Sequence, residues 1–139
     1  MKSFKIICCA AAIVLCFLLG GTLNAQSQKV FRGNHFEYCC QTDDGTFSDC
    51  DDPDYSIPYV ITVTNTKIKV SETFPDGKLN EFEYTIKSKV FSTEENVWYF
   101  EVVGEEGEEN YVLMSRNGDF MMILDFDFGM CALVYYMHE

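Results

Sequence analysis

Residues that commonly carry catalysis are scarce in this sequence of 139 residues. Histidine occurs only at His35 and His138, and neither has a serine or an acidic residue at a spacing that indicates a catalytic triad. The sequence also has no Gly-x-Ser-x-Gly motif, no phosphate-binding loop and no Cys-x-x-Cys motif. A histidine without such a context is weak evidence for an active site. We therefore predict a protein that is not an enzyme.

Positive charge is scarce as well. The chain has 10 Lys and Arg residues against 22 Asp and Glu residues, which gives a formal net charge of −12. Surfaces that bind nucleic acid or anionic membranes need a basic patch. The composition therefore predicts that neither nucleic acid nor an anionic membrane surface is a partner. The acidity is typical of a soluble protein and is compatible with cation binding.

No hydrophobic run is long enough to span a membrane. The longest, from Ile6 to Leu19, has roughly fourteen residues against the ~20 that a spanning helix needs. It follows Lys2 and Lys5, and the small residue Ala25 stands before the predicted cleavage point, a pattern typical of a secretory signal peptide. We predict a signal peptide over residues 1–25, with an uncleaved anchor as the alternative. Residues 26–139 then form one secreted or periplasmic domain, with no membrane span and a net charge of −14 once the two lysines are removed.

The stretch from Lys67 to Val103 has the strongest alternation of apolar and charged side chains, which is typical of β-strands with one buried and one solvated face. A hairpin loop over Phe74–Lys78, with Gly77 in the left-handed conformation, places Val70 opposite Phe82 and Lys69 opposite Glu83. The side chains predicted to share the buried face are Phe82, Tyr84, Ile86 and Val90, and those on the solvated face are Glu81, Glu83, Lys87 and Lys89.

The whole mature chain can be divided into eight strands, and an acidic loop from Gln41 to Pro58 separates the first two. The predicted strands are Lys29–Cys40, Tyr59–Thr64, Lys67–Phe74, Asn80–Phe91, Val97–Val103, Tyr111–Arg116, Asp119–Phe126 and Met130–Met137. Short-linked antiparallel strands hide their edges best by closing into a barrel. We predict an all-β, up-and-down barrel, with a two-sheet β-sandwich as the alternative.

The last hairpins are apolar on both faces. With Asn117-Gly118 as the turn, one face pairs Leu113 with Met122 and Tyr111 with Leu124, and it is predicted to form the barrel wall. Strands of this kind are usually covered on both sides. The other face is predicted to be covered by Val30 and Phe31, by a second copy of the chain or by another protein. This candidate interface consists of Val112, Met114, Met121 and Ile123.

Four cysteines, Cys39, Cys40, Cys50 and Cys131, remain after the predicted signal peptide, and an even number in an exported chain favours disulfides. Closure of the barrel would bring the first strand beside the last. We therefore expect Cys50 to pair with Cys39 or Cys40, and Cys131 to pair with whichever remains. A zinc site is disfavoured because the adjacent cysteines lack the usual ligand spacing.

The segment Lys67-Ile68-Lys69-Val70-Ser71-Glu72, the pattern Phe82-x-Tyr84-x-Ile86 and the hairpins through Tyr136 resemble the small secreted lipocalin-like (calycin) barrels. The resemblance covers roughly Tyr59 to Met137 and implies a barrel that carries a small apolar ligand. The Gly-x-Trp signature near the first strand of true lipocalins is absent, since the only tryptophan is Trp98.

Two candidate sites follow from the side chains themselves. Large residues predicted to point inward could line a ligand cavity, or they could fill the barrel: Tyr59, Phe82, Tyr84, Trp98, Phe100 and Met122. Four carboxylates in the acidic loop could hold calcium, although their spacing is not that of an EF-hand: Asp49, Asp51, Asp52 and Asp54.

Taken together, these features predict an exported, non-enzymatic binding protein that carries a small apolar ligand in its barrel. The alternative is an envelope-associated or extracellular interaction protein with a filled barrel, which would use the apolar face of the C-terminal hairpins to bind a protein partner. No cofactor is expected, apart from the calcium considered above.

Overall fold

The computed structural model describes residues 27–125 and 130–138, so the predicted signal peptide lies outside the described residues. Within these ranges the regular structure is entirely β, and no helix is long and apolar enough to cross a membrane. The nine strands are β1 (Lys29–Gln41), β2 (Phe47–Cys50), β3 (Tyr59–Val63), β4 (Lys67–Thr73), β5 (Leu79–Ser92), β6 (Val97–Val103), β7 (Glu109–Ser115), β8 (Phe120–Asp125) and β9 (Cys131–His138).

Eight of these strands form a closed antiparallel barrel. Strands β3 to β9 follow one another as neighbours, and β1 pairs with both β3 and β9. The pairing of β1 with β9 closes the sheet and removes its free edges, as the need to protect edge strands favours. The predicted up-and-down barrel is confirmed, and the alternative two-sheet sandwich is wrong.

Strand β2 lies outside the barrel, where the sequence predicted only a loop. It pairs with the end of β1 that does not contact β3. The intervening turn is held by Asp44, whose Oδ1 accepts hydrogen bonds from the hydroxyl of Thr42 and from the backbone N–H and hydroxyl of Thr46. These hydrogen bonds lower the pKa of the exposed Asp44 carboxyl to about 2, and the bond from Thr42 has the largest effect. A short polar strand of this kind has no apolar alternation by which it could be predicted.

The β4–β5 hairpin has the predicted register. Val70 lies opposite Phe82 and Lys69 lies opposite Glu83, and Gly77 has a φ of 82°. On the solvated face the ion pairs run diagonally, so that Lys69 binds Glu81 at 2.9 Å while Lys67 binds Glu83. Turn geometry, apolar pattern and charge therefore specify the same register, as expected for a sheet with one wet face.

A bulge between Ile86 and Ser88 changes the orientation of the end of β5. Beyond it, Lys89 lies opposite the buried Phe100, and Val90 is 64% exposed. The predicted orientations of Lys89 and Val90 are therefore wrong, because one extra residue in a strand reverses the alternation that follows it. Ser88 turns outward and donates a hydrogen bond to Glu101 at 2.7 Å.

Both disulfides have a pairing that was predicted. Cys39 is bonded to Cys50, and Cys40 is bonded to Cys131. The first joins β1 to β2, and the second joins β1 to β9 across the seam that closes the barrel. Because Cys39 and Cys40 are adjacent in a strand, their side chains leave opposite faces of the sheet.

The C-terminal hairpin has the predicted register, but the face that was predicted to point outward points into the barrel. Met114 pairs with Met121 and Val112 with Ile123, and all four side chains belong to the core inside the barrel. The prediction that these four form an outer interface is therefore wrong. Met122 and Leu124 pack instead on the outer surface with Cys39, Ala132 and Val134. With both faces apolar, the alternation could not show which one points inward.

Two glycines with positive φ provide a test of this packing. Gly77 has open space around it, whereas a Cβ on Gly118 (φ 75°) would overlap the ring of the buried Phe31. Gly77→Ala should lower the free energy of unfolding by about 1–2 kcal/mol, because alanine is disfavoured in the left-handed conformation. Gly118→Ala should cost a further 1–3 kcal/mol or so from overpacking. Chemical denaturation measures both, and equal losses would contradict the packing of Phe31 beneath the β7–β8 turn.

Candidate functional site

Side chains fill the middle of the barrel. Ile61, Ile68, Val70, Val112 and Tyr135 are each 0% exposed, which is typical of a close-packed interior. Among the predicted lining residues, Tyr59 and Phe100 are buried in this core, and Phe82, Tyr84 and Trp98 pack against it. Met122 lies outside the barrel. A central ligand cavity of the kind the lipocalin-like resemblance implies therefore has no room in the middle of the barrel.

A smaller cavity opens at one end of the barrel. We call it the mouth cavity; it has a volume of about 180 Å³ and lies where β1 begins and where the β3–β4 and β5–β6 connections lie. Its apolar surface is formed by Phe31, Val63, Trp98, Phe100 and Met114. Two of the side chains predicted to line a ligand site, Trp98 and Phe100, are thus brought together here.

Three exposed cations line the same cavity, two of them from inward-facing strand positions and the third from the turn after β7. Lys29 lies opposite Val63, Lys89 lies opposite Phe100, and Arg116 follows the inward-facing Met114 by two residues. The sequence did not identify these residues as a site, and it predicted Lys89 to be solvated on the other face. The only signal in the sequence was Ser88, a polar residue where unbroken alternation would place an apolar one.

Aromatic rings are the neighbours of two of these cations. The Nζ atom of Lys89 lies 5.8 Å from the centroid of the Trp98 ring, and the guanidinium carbon of Arg116 lies 5.8 Å from that of Phe91. Both distances are within the range of cation–π attraction. In the part of the chain that the structure describes, neither cation forms an ion pair, and no Asp or Glu lines the cavity.

The opposite end of the barrel is closed by tyrosines. The hydroxyl of Tyr135 donates to Oε1 of Glu72 at 2.8 Å, and the hydroxyl of Tyr59 lies 2.6 Å from the carbonyl oxygens of both His35 and Tyr136. Burial raises the pKa of Tyr59 to about 12 and also raises that of Tyr135. Both phenols are therefore protonated at neutral pH and act as hydrogen-bond donors rather than as bases.

His35 has an acidic neighbour that its sequence context did not indicate. Its Nε2 lies 2.9 Å from Oε1 of Glu37, and its ring stacks on Tyr136 with centroids 4.3 Å apart. Oε2 of Glu37 lies 3.8 Å from the sulfur of Cys39. Glu37, Cys39 and Cys50 are the only group of three potential metal ligands that lie close together among residues 27–125 and 130–138. Since the two sulfurs are bonded to each other, they offer no thiolate to a metal.

The acidic segment does not gather its carboxylates into a calcium site. Asp49 belongs to β2, Asp51 and Asp52 are exposed beyond its end, and Asp54 forms an isolated β-bridge with Phe36. Oδ1 of Asp54 accepts two hydrogen bonds from Ser56, which lower the pKa of its carboxyl. Within the described ranges, no three of these four carboxylates lie close enough together to hold one ion, so the predicted grouping is wrong.

Another concave surface is an open groove on the outer wall. It encloses about 360 Å³ beside the Cys39–Cys50 disulfide and is lined by Phe47, Phe120, Met122, Val134 and Tyr136. It occupies the outer side of the C-terminal hairpins, the side that the sequence predicted to face the core. Most of the groove surface is apolar, and no charged side chain of the described residues lines it.

Comparison of the chain with known protein families, with curated proteins and with solved structures finds no match. The lipocalin-like resemblance therefore stays a prediction, beyond the closed barrel itself. No relative assigns a ligand to the mouth cavity or to the outer groove.

Proposed function

We propose that the protein is an exported, non-enzymatic binding protein that holds the apolar part of a small ligand in the mouth cavity. The observation that carries this proposal is the cavity of about 180 Å³ with Trp98, Phe100 and Met114 in its wall. Small-molecule sites are typically concave and mostly apolar, with a few placed polar groups. The mouth cavity combines these features at one end of the barrel.

Support for export comes from the predicted signal peptide together with the two disulfides. Disulfides persist in oxidising compartments and are rare in the reducing cytosol of most organisms. The disulfides are thus compatible with an extracellular or periplasmic protein. The predicted signal peptide is the second support for the proposed export.

Two methionines allow the proposed site to be tested directly. Met114 lines the mouth cavity and Met122 lines the outer groove, although the two lie on neighbouring strands. We expect a neutral apolar probe, 3-phenyl-1-propanol, to shift the methyl resonance of Met114 in methyl-labelled protein and to leave that of Met122 in place. Fluorescence of Trp98, the only tryptophan, should change with the same saturation curve.

The alternative function, binding of a protein partner, would use the outer groove. A shift of the Met122 resonance alone, or self-association on sizing chromatography that is lost in Met122→Lys, would favour it and contradict the proposal. Saturable binding by a monomer at Met114 would favour the mouth cavity.

A further inference from the structure

We infer that the ligand of the mouth cavity is a small amphipathic anion, a carboxylate or similar monoanion on a compact apolar body. Its apolar body would pack on Trp98, Phe100 and Met114, and its anionic group would lie between Lys89 and Arg116. This inference rests on the proposed function, because it specifies the charge and size of the ligand for the same cavity.

The distribution of basic residues is the first argument. Two of the 10 Lys and Arg residues, Lys2 and Lys5, precede the described part of the chain, and three of the other eight line this one cavity. Elsewhere the inward-facing positions of the barrel are mostly apolar, and Glu72 lies at the opposite end in contact with Tyr135. In a chain with a net charge of −12, three basic residues thus line one cavity.

The bulge in β5 is the second argument. Without the extra residue, the alternation of β5 would turn Val90 inward and Lys89 outward beside Lys87. With it, the lysine enters the rim next to Trp98, and an apolar side chain that is 64% exposed points to solvent. Bulges are a common way to re-aim one side chain near a binding site. Placing Lys89 inward and Val90 outward loses the stabilisation that burial of Val90 would give. Binding of a ligand that interacts with the lysine would offset this loss.

The third argument concerns the partners of Lys89 and Arg116. Lys67 and Lys69 form ion pairs with carboxylates on the outer wall. Lys89 and Arg116 lie against aromatic rings instead and have no ion pair within the described ranges. Their N–H donors are therefore available to an anion, and arginine is well suited to a planar carboxylate.

The size of the cavity limits the apolar body. A volume of about 180 Å³ is smaller than the sites of most drug-sized ligands, so one ring or a short chain fits, whereas a long acyl chain does not. The acidic outer surface does not prevent the approach of an anion, because physiological salt screens charges beyond roughly 8 Å.

Three probes that share one apolar body test the inference: 3-phenylpropanoate, 3-phenyl-1-propanol and 3-phenylpropylammonium. Titration is followed by Trp98 fluorescence and by the methyl resonance of Met114. We expect the anion to bind at least about tenfold more tightly than the alcohol, as a charge-assisted hydrogen bond implies. The ammonium probe should bind most weakly, and added sodium chloride should reduce the preference for the anion.

Matched variants locate the charge effect. Lys89→Gln and Arg116→Gln should each remove most of the preference for the anion while leaving the affinity for the alcohol within about twofold. Lys78→Gln removes one positive charge in the β4–β5 loop at the other end of the barrel, and it should leave the preference unchanged.

The outcomes separate the two proposals. If the alcohol binds at Met114 and the anion is no tighter in the unmodified protein, the anionic ligand is wrong and the proposed function stands. An anion preference that survives in both Lys89→Gln and Arg116→Gln would also overturn the inference. If none of the three probes binds at millimolar concentration, the proposed function fails and the inference fails with it.

Discussion

Lysine at both Met114 and Ile123 should leave the barrel unfolded. These side chains are 6% and 4% exposed and pack in the interior of the barrel. An unpaired charge at such a site costs several kcal/mol, and two of them approach the 5–15 kcal/mol or so by which a whole domain is stable. Circular dichroism and Trp98 fluorescence of Met114→Lys/Ile123→Lys should show no cooperative unfolding transition.

The control places the same two charges on the other face of the same hairpin. Leu113 and Met122 are register partners, and both are half-buried on the outer wall. Leu113→Lys/Met122→Lys should fold, with a loss of roughly 1–2 kcal/mol from reduced apolar contact. If this control unfolds while Met114→Lys/Ile123→Lys remains folded, the assignment of the two faces is inverted.

Removal of the Cys40–Cys131 disulfide should cost about 4–5 kcal/mol by the loop-closure argument, because its cysteines are 91 residues apart. The bond also lies on the β1–β9 seam, the pairing that closes the barrel. The measurement is urea unfolding of Cys40→Ala/Cys131→Ala, followed by Trp98 fluorescence.

The second disulfide supplies the comparison for this loss. Cys39 and Cys50 are 11 residues apart, so Cys39→Ala/Cys50→Ala should cost about 3 kcal/mol. It should also loosen β2 without opening the barrel, since within the described ranges β2 pairs with the end of β1 alone. Equal losses of stability in the two double mutants, or a larger loss on removal of the Cys39–Cys50 bond, would be the contrary result. Either one would contradict the explanation that loop length and position on the seam make the Cys40–Cys131 bond the more stabilising one.

The parts of the fold that could be predicted are those where side chains differ between the two faces of a strand. In β4 and β5, the apolar set and the ion pairs specify one register, and the β4–β5 loop agrees with it. The cysteine pairing could be narrowed because closure of a meander brings its first and last strands together. In these places several independent constraints point to the same arrangement.

The orientation of β7 and β8 could not be predicted, because both faces of these strands are apolar. Which face of these strands points inward depends on the rest of the barrel. Met114 and Met121 pack in the core with the inward-facing Phe31, Phe100 and Tyr135. The bulge at Ile86–Ser88 has no clear local signature either, and it alone determines that Lys89 belongs to the mouth cavity. The cavity wall could thus be predicted in part, at Trp98 and Phe100, but its charge could not.

The two disulfides also affect how the protein responds to proteolysis. Cys40 and Cys131 enclose most of the barrel, so a protease that cuts once anywhere between them leaves both pieces covalently joined. The pieces also stay aligned by the backbone hydrogen bonds of the neighbouring strands. A singly nicked molecule would therefore remain one particle until its disulfides are reduced. If the protein is exported as proposed, this arrangement would let a cut in a surface loop leave the mouth cavity in place.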